Sequence, residues 1–199
     1  ETGEVFEYIR SGGSWNFYRK LEPASGVASN SFFGWSISSD SNGLIIGAPS
    51  EDSNGANSGA VFVFERQDGD WVDVVKLIAE DGAVYDDFGS SLSIDSNLIA
   101  IGAPEEDSVG EDSGSVYVFT KTTSGNWIQI NKFSPLDLAL LNFYGSAVAV
   151  VGEEIFSGSN SSSSNTVVGE ESLRVHVLEQ EIGERVPTQK IINELGDYA

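Results

Sequence analysis

Apolar residues along this chain fall in short runs, separated by clusters of Gly, Asn, Asp and Ser. Between residues 31 and 86 four such runs lie near 34–39, 44–48, 60–66 and 71–78. Each reads as a β-strand bounded by turns. The second run, Leu44-Ile45-Ile46, is apolar throughout rather than alternating, which predicts a strand covered on both faces. No stretch of roughly 10–12 residues carries a helical period. Gly34 and Gly89 stand where the backbone is predicted to turn or to approach a neighbour closely.

The pattern repeats about every 56 residues. Phe33-Gly34 recurs as Phe88-Gly89 and, weakened, as Tyr144-Gly145. Gly47-Ala48-Pro49 recurs as Gly102-Ala103-Pro104, and Ser58–Phe64 as Ser113–Phe119. Trp15, Trp71 and Trp127 follow the same spacing, as do Leu21, Leu77 and Phe133. Four short antiparallel strands per unit, with a covered inner strand, describe the sheet of a propeller blade. A continuous β-solenoid is the alternative, but solenoid repeats are shorter and rarely carry so many turn clusters.

The pairing of Phe33-Gly34 with Gly47-Ala48-Pro49, and of Phe88-Gly89 with Gly102-Ala103-Pro104, resembles FG-GAP repeats as in the integrin α-subunit β-propeller. The resemblance covers nearly the whole chain and implies an all-β propeller. It says less about function, because propellers host many unrelated activities. Residues 1–30 hold the last two strands of a blade, 31–86 and 87–142 are complete blades, and 143–199 form a divergent blade without the Gly-Ala-Pro and the Trp. That is about three and a half blades, a partial ring. Glu1 is read as the start of a processed or truncated chain, so a segment of a longer protein is favoured over two copies joining into about seven blades.

Charge narrows the partners. With 10 Lys+Arg against 31 Asp+Glu the net charge is −21, which argues against nucleic acid and against an anionic membrane surface. Cys is absent, which removes disulfides, thiolate nucleophiles and zinc–thiolate sites. No apolar run approaches the roughly 20 residues of a membrane span.

Strand alternation sorts the acids. Loops joining strands two and three, and those crossing to the next blade, emerge on one rim. They hold Glu51, Asp52, Glu80, Asp81, Asp86, Asp87, Glu105, Glu106, Asp107, Glu111 and Asp112. Such a rim either keeps the protein solvated or gathers a basic partner or Ca²⁺. In integrin-like propellers this face binds partners, so the resemblance favours a partner-binding face. The family's calcium loops resemble D-x-D-x-D-G and lie between strands one and two. Here those positions read Asp40-Ser41-Asn42-Gly43, Asp95-Ser96-Asn97 and Val151-Gly152-Glu153-Glu154, which lack the three spaced acids. They are read as turns, and no metal site or other cofactor is assigned.

No catalytic constellation stands out. His176, the one histidine, lies in a strand-like stretch and reads as structural. The nucleophile-elbow, phosphate-loop, zinc-protease and dinucleotide motifs are all absent. A glycosidase carboxylate pair is the residual enzymatic reading, since acids abound. Trp15, Trp71 and Trp127 read as packing positions in strand four, with sugar stacking as the alternative. Asn160-Ser161-Ser162 is a glycosylation sequon in the Ser-rich stretch 157–165, read as an insertion loop.

Together these readings predict a non-enzymatic extracellular or cell-surface propeller module for adhesion or structural assembly. Its partners would be proteins or neighbouring subunits, and glycans under a carbohydrate-binding alternative. A calcium-dependent structural unit is the third reading.

Overall fold

The computed structural model describes residues 2–134, 143–160, 173–179 and 189–191. Among these every regular element is a strand, and the strands form four antiparallel sheets in chain order. The first sheet is the hairpin β1 (Val5–Ser11) and β2 (Ser14–Leu21). The second runs β3 (Ile37–Ser39), β4 (Gly43–Ala48), β5 (Ala60–Gln67) and β6 (Asp70–Leu77). β7 (Ser91–Asp95), β8 (Leu98–Ala103), β9 (Ser115–Lys121) and β10 (Trp127–Phe133) form the third. The fourth holds β11 (Ala147–Val151), β12 (Glu154–Asn160), β13 (Leu173–Glu179) and β14 (Gln189–Ile191). Each four-stranded sheet is a simple meander, as in a propeller blade, and the set is an all-β partial propeller.

The strand sequences explain the stacking. β4 is buried along its whole length, as its unbroken apolar run predicts. Side chains then alternate between two interfaces. Leu44, Ile46, Phe62 and Phe64, with Phe33 of the same blade, meet Val5 and Leu21 of the half-blade. Ile45, Val61, Val63 and Leu77 turn the other way and meet Phe88, Ile99, Ile101, Tyr117 and Phe119. Ala100, Val116 and Val118 repeat that step against Tyr144, Val150 and Ile155. The first two interfaces therefore mate a sheet face rich in aromatics with an aliphatic one, the third has Tyr144 alone in that role among its buried residues, and each fully buried large side chain contributes about 1.5–3 kcal/mol.

The two halves of the Phe-Gly and Gly-Ala-Pro signature meet in space. The Gly34, Gly89 and Gly145 amides donate to the carbonyls of Gly47, Gly102 and Gly158 of the same blade at 3.0, 3.0 and 3.1 Å. The Gly89 and Gly145 carbonyls accept from Ser36 Oγ and Ser91 Oγ of the preceding blade at 2.6 and 2.7 Å. A third joint sits at Gly3, Gly59 and Gly114, where Phe33, Phe88 and Tyr144 donate their amides to Thr2, Ser58 and Ser113.

Three details differ from the sequence reading. The first strand of the second sheet starts at Ile37, because Gly34 has φ +94° and the chain is still turning. Gly158 occupies the Gly-Ala-Pro glycine position of the fourth sheet, so that landmark is kept as Gly158-Ser159-Asn160. Residues 157–160 belong to β12 rather than to a loop; Asn160 ends that strand, is exposed and pairs with Leu173. Ser161 and Ser162 lie outside the described residues. His176 lies on β13, opposite Ser157.

Candidate partner-binding rim

The loops after β4 and β8 have one design. Glu51 and Glu106 turn back to the Ala48 and Ala103 carbonyls. Their own carbonyls accept from the Gly59 and Gly114 amides at 2.8 and 2.9 Å, and from Ser58 Oγ and Ser113 Oγ. Asp52 Oδ1 accepts from the Asn57 amide at 2.9 Å, and Asp107 Oδ1 from the Asp112 amide at 2.8 Å. Asn57 and Asp112 sit at φ 53° and 47°, the left-handed region that Asn and Asp tolerate best. Acidic residues thus build the loops as well as charge them.

Glu51, Asp86 and Glu106 are buried, which corrects their reading as partner-facing groups. A buried carboxylate needs partners; Glu106 and Asp86 have them, and Glu51 has them at Oε1 while its buried Oε2 has no hydrogen-bond partner. Glu106 accepts from Ser108 N, Ser108 Oγ and Ser115 Oγ at 2.6–2.9 Å, and Lys132 Nζ lies 2.9 Å away. Glu51 Oε1 receives Lys76 Nζ at 2.9 Å. Asp86 accepts from the Ala83 amide at 2.7 Å. Lys132 also contacts Asp81 at 2.6 Å and lies over the Tyr117 ring, whose hydroxyl donates to Asp81 at 2.9 Å. Burial works against the Lys132 ammonium, but its hydrogen bonds to Asp81 and Glu106 outweigh that and raise its pKa. Partial burial likewise works against the Asp81 carboxylate, yet the bonds from Lys132 and Tyr117 hold its pKa below the usual range.

The remaining rim acids gather beside the crossing to the third sheet. Asp52, Asp107 and Glu111 are exposed, and Asp87, Glu105 and Asp112 are half-buried. Partial desolvation, then the charges of Glu105 and Asp86, push the Asp87 carboxyl up to about 7. Glu105 is raised by desolvation and by Asp112 and Asp107. Asp112 is raised by desolvation and by Asp107 and Glu111. Like charges are held together here by the rigidity of their loops, and an incoming cation would relieve the repulsion. Among the described residues no group of three or more His, Cys, Asp or Glu is arranged to hold a metal ion.

On the opposite rim the turns at the calcium-loop positions tie blade to blade. Asp40 Oδ1 accepts from the Asn42 and Gly43 amides at 2.7 Å, closing an Asx turn. Its Oδ2 accepts from the Ser96 amide of the next blade at 2.8 Å. Asp95 Oδ2 accepts from the Gly152 amide at 2.8 Å in the same manner. Ser38 and Ser93 add hydroxyl acceptors for the Ile94 and Val150 amides.

The tryptophans share a register but not a setting. Trp15, Trp71 and Trp127 stand opposite Arg10, Arg66 and Lys121. Trp71 packs under the Arg66 guanidinium at 4.3 Å. Trp127 donates to Glu65 Oε1 at 3.2 Å, while Lys121 Nζ meets Glu65 Oε2 at 2.7 Å. Both packing positions follow the sequence reading, whereas Trp15 is 69% exposed.

A search of the curated proteins found no match. A family model described as FG-GAP repeat matches residues 15–64 and 71–119. The matched unit runs from the last strand of one sheet through three strands of the next, the stretch across which the glycine joints form. The chain therefore carries two FG-GAP repeats, the repeat type of integrin α-like propellers.

Proposed function

We propose that this chain is a non-enzymatic propeller module of an extracellular or cell-surface protein, which binds a protein partner through the acidic rim for adhesion or structural assembly. The observation that carries this reading is the pair of matched loops, Ser50–Gly59 and Glu105–Gly114. Internal hydrogen bonds fix both loops while Asp52, Asp107 and Glu111 stay exposed. Rigid loops meet a partner at low entropic cost. A rim of one sign steers a basic partner and suits a salt-dependent association rate. FG-GAP propeller domains generally mediate protein interactions, which supports the same reading. Glycosylation at Asn160 fits it, since that side chain is exposed at the end of β12. The test is a screen against arrayed cell-surface proteins together with a panel of hydrolase substrates. A protein hit without turnover is the predicted result, and turnover without any partner would reverse the reading.

A second reading, carbohydrate binding, rests on Trp15, the repeat-position tryptophan that is open to solvent, as Trp35 also is. Glycan-array binding lost on Trp15→Ala, and kept on neutralising the rim, would favour it.

A further inference from the structure

The chain holds two Asn-Gly dipeptides, Asn42-Gly43 and Asn54-Gly55. Asparagine before glycine is chemically labile, because glycine has no side chain to shield its amide nitrogen from the asparagine carboxamide. The fold treats the two pairs differently. At Asn42-Gly43 the attacking nitrogen is held. The Gly43 amide donates to Asp40 Oδ1 at 2.7 Å, and the Asn42 amide donates to the same oxygen at 2.7 Å. The Asn42 carbonyl accepts from the Arg66 amide at 3.1 Å. Gly43 is buried at the start of β4, opposite Glu65. Taking a proton from its nitrogen would set negative charge against the Asp40 carboxylate. Asn54-Gly55 lies instead in the loop after β4, where Asn54 is exposed and Gly55 half-buried. The Gly55 amide meets the Asp52 carbonyl at 3.5 Å, beyond the usual hydrogen-bond range. The Asn54 carboxamide is tied by Nδ2, which donates to the Ala79 carbonyl at 2.9 Å. Val109-Gly110 stands at the matching position of the loop after β8, so both the labile pair and this tie belong to one loop.

We propose that Asn54 is a site of spontaneous deamidation in the folded chain, while the Asp40 turn protects Asn42. Hydroxide takes the Gly55 amide proton, and the nitrogen attacks Asn54 Cγ. The N–Cγ bond forms and the Cγ–Nδ2 bond breaks. Nδ2 leaves as ammonia with a proton from water, which returns the hydroxide. Water then opens the succinimide ring. Cleavage between the nitrogen and Cγ gives aspartate, and cleavage between the nitrogen and the main-chain carbonyl carbon gives isoaspartate. Neither product can donate to the Ala79 carbonyl as Nδ2 does, so two acceptors face each other where the bond stood. The loop is untied from the segment that crosses to the next blade, and the rim gains a negative charge two residues from Asp52. Isoaspartate also lengthens the loop main chain by one carbon. The inference does not depend on which rim binds a partner.

The test is a time course of the full chain in mildly alkaline buffer, digested and mapped by mass spectrometry for conversion of amide to acid. Asn54 is expected to convert at least about ten-fold faster than Asn42, the ratio that one hydrogen bond to a charged group supplies. In denaturant, where both turns are lost, the two sites should convert at similar rates. Asp40→Ala should speed conversion at Asn42 in the folded chain and leave Asn54 as it was. Equal rates at the two sites in native buffer, or a faster Asn42, overturn the inference. Conversion of Asn54 in denaturant but not in the folded chain overturns it as well. The consequence is read by hydrogen exchange on Asn54→Asp, in which residues 50–59 should exchange about three-fold faster or more than in the wild type. Exchange there equal to the wild type overturns the role given to the Asn54–Ala79 tie.

Discussion

The carbonyl oxygen of Gly89 lies directly over the Cα of Gly47, and a Cβ built on Gly47 would fall far inside van der Waals contact with it. The same holds for Gly145 over Gly102. The Phe-Gly of one blade thus seats on the Gly-Ala-Pro of the blade before it. Gly47→Ala is predicted to destabilise the fold by about 3 kcal/mol or more, because a backbone atom rather than a flexible side chain must move. Gly69→Ala is the control: it has open space, so only its φ of +95° is strained and the cost should be nearer 1 kcal/mol. Urea melts of the two variants check the ranking.

Lys132 is the cation under the second acidic loop. Replacing it with Met leaves Glu106 buried and uncompensated, at a cost on the order of 3 kcal/mol. Lys76→Met should cost less, since Lys76 is more exposed and meets Glu51 alone. Equal losses at the two sites would contradict the account of Lys132 as the shared partner of Asp81 and Glu106.

Asp40 spends its carboxylate on backbone amides in its own turn and in the next blade. Asp40→Ala is predicted to lose about 1–2 kcal/mol. Millimolar Ca²⁺ or a chelator should leave the melting temperature of the wild-type chain unchanged. A calcium-dependent rise in that temperature, abolished by Asp40→Ala, would contradict this assignment.

The rim predicts a pH dependence. Asp87 titrates near 7 in the folded chain against an ordinary value of 3.8, so the folded state keeps a proton that the unfolded state has already released. Stability therefore falls as pH rises from about 4 to about 7, and levels off above that. Asp86, Glu105 and Asp112 are raised too and act in the same direction. Asp87 is half open to solvent, so screening trims the effect to about 2 °C in melting temperature between pH 5 and pH 8. Asp87→Asn should flatten that slope and raise the melting temperature at pH 8.

Fold was more legible than site, for physical reasons. Glycine, aromatic and aliphatic landmarks are dictated by steric joints and by burial, so they repeat in sequence wherever the joint repeats in space. Gly3 carries no repeat landmark in sequence because no Gly-Ala-Pro stands upstream of it, and Gly158 none because Ser and Asn follow it in place of Ala and Pro. Glu51 and Glu106 read as partner-facing because they sit among Ser, Asn and Gly in loops. Their signal was the lysine 25 or 26 residues later, Lys76 and Lys132, since a recurring Glu–Lys pair at repeat spacing suggests a buried ion pair. Trp15 was legible as a repeat position but not as exposed, because exposure depends on what flanks the half-blade.

The most direct test of the proposed rim is a binding titration with a protein partner found in the array screen. The wild type is compared with a chain carrying Asp52→Asn, Asp87→Asn, Glu105→Gln, Asp107→Asn, Glu111→Gln and Asp112→Asn. Affinity is predicted to fall at least about ten-fold on neutralisation, and to fall for the wild type as salt is raised past the range where surface charges are screened. Affinity that is the same for both chains and indifferent to salt would contradict the account.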